Sequence, residues 1–320
     1  MSDVEILGRG VQGVVYREGE KIFKISFDDS ALDHEYEFGA KIHESEDEDI
    51  EKVKKYFLKI YGVEEVKVAY IPEMVIKEME KYPMNKKFGD RVKRMEMEYV
   101  AGKSFLTILY KLFEEEISDI FSSLEEELKD VSDDELRYTK MNKFIIGADL
   151  PKDKVEKINY LFIIVINKIL KALHVTHERL SIIHGDLWDY NVLISEADPK
   201  IIDYGRAEES KELCIDISEL IRSWFDPRDP QCYRIWHTLN WNKEKLEKIR
   251  KKYYYNWGTI YHVALRIFIK SLRETGGLVN YIDIACIVIL EKDCTHDVKK
   301  TNLEILQDIE DEVKIAKLKV

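Results

Sequence analysis

The pattern of apolar and polar positions divides the chain into a β-rich first third and a helical remainder. In the first third, short apolar runs bounded by turn residues predict strands. The predicted strands are residues 4–7, 14–16, 21–25, 57–61, 74–80 and 92–100. After the third strand, Phe38 and Ile42 recur at helical spacing, which predicts a helix over residues 31–43. These elements describe a small antiparallel sheet accompanied by a helix.

Helical spacing dominates after Gly102. Apolar residues at that spacing predict a helix over residues 109–128, and a capping box at residues 132–135 predicts the start of another. A helix over residues 154–177 is apolar nearly all round, which indicates burial in a larger helical unit. The pattern remains helical beyond Ile217.

These two patterns predict a chain of two parts. Its 320 residues exceed the roughly 250 to 300 at which a single hydrophobic core stops growing. We expect an α+β fold with a small β-rich N-terminal lobe, residues 1–102, and a larger, mainly helical C-terminal lobe, residues 103–320. Residues 103–154 are a helical insertion in the second lobe. The chemistry is expected where the lobes meet.

Charge and cysteine usage limit the classes of partner. The net charge of −12 repels phosphate backbones and anionic lipid surfaces, so we expect neither a nucleic acid nor a membrane partner. No apolar run approaches the roughly 20 residues that span a bilayer, and the first residues lack signal-peptide architecture, which predicts a cytoplasmic protein.

The cysteines have neither zinc-site nor disulfide-framework spacing, so we expect reduced thiols. They are Cys214, Cys232, Cys286 and Cys294.

A glycine-rich turn follows the first predicted strand. Gly8, Gly10 and Gly13 form a Gly-x-Gly-x-x-Gly pattern, in which missing side chains let backbone amides approach a polyphosphate. A dinucleotide site would need a helix beginning at these glycines, whereas a strand and a hairpin follow here. A glycine-rich hairpin without function is the alternative interpretation.

A lysine in the third predicted strand needs an anionic partner. Strand alternation places Lys24 on one face with Ile22, among apolar neighbours. Its candidate partners are bound phosphates and a carboxylate of the following helix. We favour Glu35 over Glu37 because Glu35 shares a helical face with Phe38 and Ile42.

The strongest chemical signal is a loop that begins at His184 and enters a strand, followed by a second strand that ends in an acid. Phosphoryl transfer from Mg-ATP needs a carboxylate to orient or deprotonate the attacking hydroxyl, and oxygen ligands for the metal. Asp186 suits the first role, and Asn191 with Asp203 suits the second.

Taken in order, these motifs resemble the protein-kinase-like superfamily over about residues 4–224. That superfamily carries a glycine loop, a strand lysine, a helix glutamate, His-x-Asp-x-x-x-x-Asn and Asp-x-Gly. The resemblance implies a two-lobed protein-kinase-like fold, ATP and Mg²⁺ as cofactors, and catalytic roles for Lys24, Asp186 and Asn191. It also implies that Asn191 and Asp203 hold the metal.

The resemblance extends to an adenine site. The segment from Met97 to Gly102 looks like the superfamily's hinge, in which the Glu98 carbonyl and the Val100 amide would bond adenine and Met97 would be the gatekeeper. Val15, Ile22 and Leu193 would line the apolar slot around the ring. The resemblance also assigns Leu7 to the ATP site. An ordinary core role is the alternative for each. Asp216 resembles the acid that braces the catalytic loop, and a helix N-terminal carboxylate is the alternative there.

Two departures bear on the acceptor. Gly185 and Trp188 stand where typical serine/threonine kinases have Arg and Lys, as in the RIO, aminoglycoside and fructosamine branches, and only ten residues separate Gly205 from Asp216. We expect an atypical serine/threonine protein kinase. A small-molecule kinase of the aminoglycoside or fructosamine type is the alternative, followed by a pseudokinase binding module. The acceptor is a hydroxyl-bearing protein or small molecule, the oligomeric state stays open, and the 103–154 insertion is expected to wall the acceptor pocket.

Overall fold

A computed structural model of the chain describes residues 4–9, 13–26, 29–81, 89–129, 140, 150–210 and 216. Four predictions fall outside these residues: the role of Gly10, the capping box at 132–135, the state of the four cysteines and the helical pattern beyond Ile217.

The N-terminal part is an antiparallel five-stranded sheet with the order β1-β2-β3-β5-β4. Its strands are β1 Val4–Arg9, β2 Gly13–Glu18, β3 Lys21–Ser26, β4 Ile60–Lys67 and β5 Arg91–Met97. Strand β3 lies in the middle, where Lys24 pairs with Val15 on one side and Met95 on the other. The predicted α+β class with a small β-rich N-terminal sheet is confirmed.

Helix α1, Asp29–His43, packs against this sheet and confirms the predicted helix. Its apolar residues Leu32, Phe38 and Ile42 are buried because they recur on one helical face. A short helix α2, Glu48–Val53, follows, with Asp47 as its N-cap.

The predicted strand over residues 74–80 is wrong, because this segment is helix α3, Glu73–Glu80. Val75 and Met79 are buried one helical turn apart, and Glu, Lys and Met favour helix. Both pack with Val14 and Tyr16 in a core cluster of the sheet. The local run of apolar residues resembled a strand, but the four-residue spacing of the buried pair decides the element.

Other predicted boundaries are shifted. The fourth strand begins at Ile60 rather than at residue 57, because a 3₁₀ turn at Lys54–Tyr56 occupies the chain just before it. The fifth ends at Met97, so residues 98–100 lie outside the sheet. The predicted 109–128 helix is two helices, α4 Phe105–Leu112 and α5 Glu114–Leu128, which meet at Phe113.

Helix α6, Lys152–Leu180, confirms the second apolar helix and leads into the candidate site. It ends at Ser181, whose left-handed φ of 54° closes the C-terminus. Four short strands follow: β6 Ile182–Ile183, β7 Val192–Ser195, β8 Asp198–Ile201 and β9 Glu208–Glu209. Across the described ranges, none of the helices combines the length and apolarity needed to cross a membrane.

Candidate functional site

A buried ion pair joins the central strand to helix α1. The Lys24 Nζ atom lies 2.6 Å from Glu35 Oε2, and the Glu35 side chain is only 2% exposed. The Tyr204 backbone N–H also donates to the Glu35 carboxylate. Glu37 instead pairs with Lys41 on the exposed side of the helix, so Glu35 is the carboxylate that bonds Lys24.

The same lysine reaches an acid 179 residues away in the chain. Lys24 Nζ lies 2.8 Å from Asp203 Oδ1. Burial alone would lower the pKa of Lys24, but the carboxylates of Glu35 and Asp203 outweigh burial and raise that pKa. Burial alone would likewise raise the pKa of Asp203, but the attraction of Lys24 prevails and lowers it. Both groups are therefore charged at neutral pH.

Asp203 has a backbone conformation that non-glycine residues seldom adopt. Its φ is 65°, in the left-handed region. Hydrogen bonds hold the chain around it. The Ile202 N–H donates to the Asn191 carbonyl, and the Gly205 N–H donates to the Asp203 carboxylate. Such local strain is stored most often at functional sites, where surrounding contacts hold it in place.

The loop from His184 to Asn191 is braced by a buried acid. The two oxygens of Asp216 accept hydrogen bonds from the His184 N–H, at 2.7 Å, and the Gly185 N–H, at 2.8 Å. Burial raises the pKa of Asp216, and the two amides and His184 oppose that rise. Asp216 thus holds the backbone of the loop, as the sequence resemblance implied.

His184 is a scaffold of this loop. Its Nδ1 lies 3.3 Å from the Asp186 N–H, which donates to it, so Nε2 carries the proton and donates to the Ile202 carbonyl at 2.8 Å. One imidazole therefore links the loop to Ile202, which lies between the end of β8 and Asp203.

Asp186 and Asn191 are brought together at the end of the loop. The Asn191 Nδ2 donates to the Asp186 carbonyl at 2.7 Å, which commits the amide nitrogen and leaves the amide oxygen as the atom able to bind a cation. Partial burial raises the pKa of the Asp186 carboxyl, and Arg206, 3.6 Å away, opposes that rise. A raised pKa suits a carboxylate that takes a proton during a reaction.

The structure explains why glycine stands at position 185. Gly185 has a φ of 73°, and a Cβ added there would overlap the Arg206 carbonyl oxygen. The arginine found at this place in typical serine/threonine kinases therefore does not fit this backbone.

Gly185→Ala is expected to destabilise the protein by about 1 to 3 kcal/mol more than Gly19→Ala. Gly19 is a matched control because it has a similar φ of 63° but no atom within 4 Å of an added Cβ, so it carries the backbone cost alone. Chemical denaturation of both variants measures the difference. Equal losses of stability would show that the Arg206 contact does not constrain Gly185.

Two residues of this region, Tyr204 and His34, carry no local sequence signal. The Tyr204 hydroxyl is buried and donates to the Leu58 and Ile201 carbonyls, at 3.1 and 3.2 Å. His34 on helix α1 bonds the Ala207 carbonyl at 2.7 Å. The bonds to Leu58 and Ala207 do not follow from spacing along the chain, because each joins residues more than 140 positions apart.

The proposed adenine slot lies beside β3 and β5. Ile22 and Met97 are paired neighbours in the sheet and are buried, while Val15 and Leu193 are half-buried. Leu7 is 38% exposed and lies at an irregularity of β1, where the pairing with β2 shifts register. Leu7 is thus more open to solvent than the other four.

The predicted hinge is fixed by the side chain of Glu98. Its Oε1 accepts from the Lys59 N–H at 2.6 Å and pairs with Lys200 Nζ at 2.9 Å, while the Glu98 N–H donates to the Lys59 carbonyl. Beyond it, Lys103 and Ile194 exchange two backbone hydrogen bonds. The hinge segment is therefore attached at both ends, and sequence reasoning missed the carboxylate.

The first glycine motif has a partly structural explanation. A Cβ at Gly13 would overlap the Ile25 carbonyl oxygen, so the β2–β3 pairing itself requires glycine there. A Cβ at Gly8 would be in ordinary contact with Val15, at 3.7 Å, so packing does not require glycine at Gly8.

The donor atoms fit a magnesium nucleotide. Asp203 is an ionised carboxylate that is partly open to solvent, and Asn191 offers an amide oxygen, both of which are hard ligands that Mg²⁺ accepts. Lys24 supplies a fixed positive charge beside them, as a polyphosphate requires.

Residues 141–215 match the family model of the RIO domain, an atypical protein kinase family. That segment is therefore similar to a family of the protein-kinase-like superfamily. The RIO match covers about a quarter of the chain and includes the His184 loop and Asp203, whereas Lys24 and Glu35 lie outside it. It confirms the resemblance identified from the motifs and indicates a kinase-like phosphotransferase in broad terms. No curated protein matches the chain.

Proposed function

We propose that this protein is an ATP-dependent phosphotransferase, most specifically an atypical serine/threonine protein kinase. The observation that carries the proposal is the Lys24 to Asp203 contact of 2.8 Å. It joins the lysine of the N-terminal sheet to the segment that the RIO match covers. The proposed fold is two-lobed, with residues 1–102 and 103–320 as the lobes and the nucleotide between them.

In this proposal, the N-terminal sheet holds the nucleotide. Lys24, fixed by Glu35, neutralises the phosphates, and the backbone around Gly8, Gly10 and Gly13 approaches them. The Glu98 carbonyl and Val100 amide bond adenine. Val15, Ile22 and Leu193 are proposed to line the apolar slot around adenine, and Leu7 is proposed as a further residue of the ATP site. The buried Lys24–Glu35 pair supports this, because a pre-set cation needs no rearrangement when the phosphates arrive.

Asp203 and Asn191 are proposed as the metal ligands. When held by these two residues, Mg²⁺ would offset the negative charge that develops on the phosphates during transfer. The bond from Asn191 to the Asp186 carbonyl fixes the ligand amide relative to the catalytic loop.

Asp186 is proposed to orient the acceptor hydroxyl and accept its proton. The hydroxyl oxygen forms a bond to the γ-phosphorus, the bond from that phosphorus to the β–γ bridging oxygen breaks, and the proton passes to the Asp186 carboxylate. Its half-buried position beside Asn191 supports this role.

A small-molecule kinase is the second candidate, favoured by one observation. Trp188 occupies the place of the kinase lysine, and its ring lies parallel to that of Tyr190, with centroids 6.5 Å apart. An aromatic pair two and four residues from Asp186 suits a compact acceptor with an apolar face. Under this reading the 103–154 insertion walls the acceptor pocket.

Labelled γ-phosphate transfer from Mg-ATP separates the two candidates. Purified wild type and Asp203→Ala are each tested for transfer to three acceptors. These are the enzyme itself, a basic generic protein and a pool of hydroxylated metabolites. Label on serine or threonine with wild type alone supports the protein kinase. Label on a metabolite assigns the small-molecule branch, and ATP binding without any transfer favours a pseudokinase.

A further inference from the structure

Helix α3 carries a carboxylate on the face that packs against the sheet. Val75, Glu78 and Met79 share that face, and all three are buried. Val75 and Met79 pack in the core cluster, whereas Glu78 is a charged residue that is only 7% exposed. Burying a carboxylate is unfavourable unless a positive group pairs with it, so the partners of Glu78 show what it does.

Among the residues that the structure describes, Glu78 has two cationic partners of different kinds. Lys81 lies three residues further along the same helix, with its Nζ 2.8 Å from Glu78 Oε2, and is mostly exposed, so this is a local helix-surface pair. Arg9 belongs to the sheet, and its Nε lies 3.1 Å from Glu78 Oε1. Of these two ion pairs, the one with Arg9 joins α3 to another element.

Arg9 stands at the start of the glycine-rich turn. It is the last residue of β1, it pairs with Val14 across β2, and it lies between Gly8 and Gly10 in the sequence. Strand β1 shifts register between Ile6 and Gly8, so the ladder is interrupted just before this end of the strand. An ion pair to a buried carboxylate supplies a second point of attachment.

We propose that Glu78 is a positioning residue that anchors the glycine-rich turn through Arg9. This inference rests on the proposed function, because the turn is the part of that site assigned to the ATP phosphates. Holding Arg9 against α3 fixes where the chain enters the turn, so less conformational freedom is lost when phosphates bind. Ligands with a polyphosphate depend on the anchor, whereas adenosine, which contacts only the slot and hinge, does not.

The test compares Glu78→Gln with wild type in binding ATP, ADP and adenosine by calorimetry. We expect affinity for ATP and ADP to fall about 5- to 10-fold, while affinity for adenosine stays within about twofold. In transfer assays the KM for ATP rises and kcat at saturating ATP is largely retained, because the reacting groups are untouched. A purely structural role would weaken all three ligands alike.

Matched variants separate the anchor from other effects. Lys81→Gln removes the other partner of Glu78 and should bind all three ligands as wild type does. Arg9→Gln is a surface change that should reproduce Glu78→Gln, and the double variant should be no weaker than either single variant.

Several outcomes would overturn the anchor. Unchanged ATP affinity in Glu78→Gln would do so, as would an equal loss for adenosine. A loss of ATP affinity in Arg9→Gln without such a loss in Glu78→Gln would also overturn the anchor, since Arg9 would then contact the nucleotide itself. A wild-type protein that binds no ATP would overturn the proposed function and this inference together.

Discussion

Asp186→Ala is expected to reduce phosphate transfer by about 10²- to 10⁴-fold, the usual contribution of a positioned general base, while ATP affinity changes little. Asp186 lies away from Lys24, and Asn191 bonds its backbone carbonyl, which the substitution keeps, so the groups that hold the phosphates are not altered. Steady-state transfer kinetics, together with ATP binding by calorimetry, measure both quantities.

Asp198→Asn is the matched control for this change. Asp198 lies in the adjoining β7–β8 hairpin, pairs with Lys168 and is largely exposed, so its variant should transfer phosphate at the wild-type rate. A rate for Asp186→Ala near that of the control would remove Asp186 from the mechanism.

Lys24→Met is expected to lower both activity and stability. Removing the ammonium leaves Glu35 buried without its cation, which costs about 3 to 5 kcal/mol in typical buried pairs. Loss of the charge beside the phosphates should reduce transfer by at least about 10²-fold. Denaturant unfolding and transfer assays measure the two effects separately.

Two further variants distinguish the causes. Lys24→Met combined with Glu35→Gln removes both charges, so it should recover most of the stability but none of the activity. Lys21→Met removes an exposed lysine of the same strand, paired with Glu96, and should change stability by less than about 1 kcal/mol. A double variant as unstable as Lys24→Met would contradict the buried-pair account.

Local pattern was sufficient for the elements that present the site. Strand alternation places Lys24 on the face away from Phe23 and Ile25, and helical spacing favours Glu35 over Glu37. In the structure, Lys24 pairs with Glu35. Both inferences depend on neighbours within about one turn or two strand positions, where the backbone geometry is fixed. The order of motifs supplied the rest of the candidate site.

Contacts between distant elements were beyond the sequence. The segment of α3 resembles a strand in sequence because its apolar run is short, and only packing against Val14 and Tyr16 shows its helical face. The Tyr204 hydroxyl bonds and the Glu98 carboxylate contacts likewise depend on tertiary structure. Side chains that bond backbone across the fold leave no periodic signal.

Phosphotransfer at this site is tested by measuring Mg²⁺-dependent transfer of labelled γ-phosphate by wild type and Asp203→Asn. Asp203 is the point where the Lys24 pair and the RIO-matched segment meet, and the substitution keeps its shape while removing its charge. The account predicts transfer by wild type that requires Mg²⁺ and is lost in Asp203→Asn, with both proteins equally folded. Equal phosphate transfer by the two proteins would contradict the proposed function. A folded wild-type protein that binds no ATP and transfers no phosphate would also contradict it.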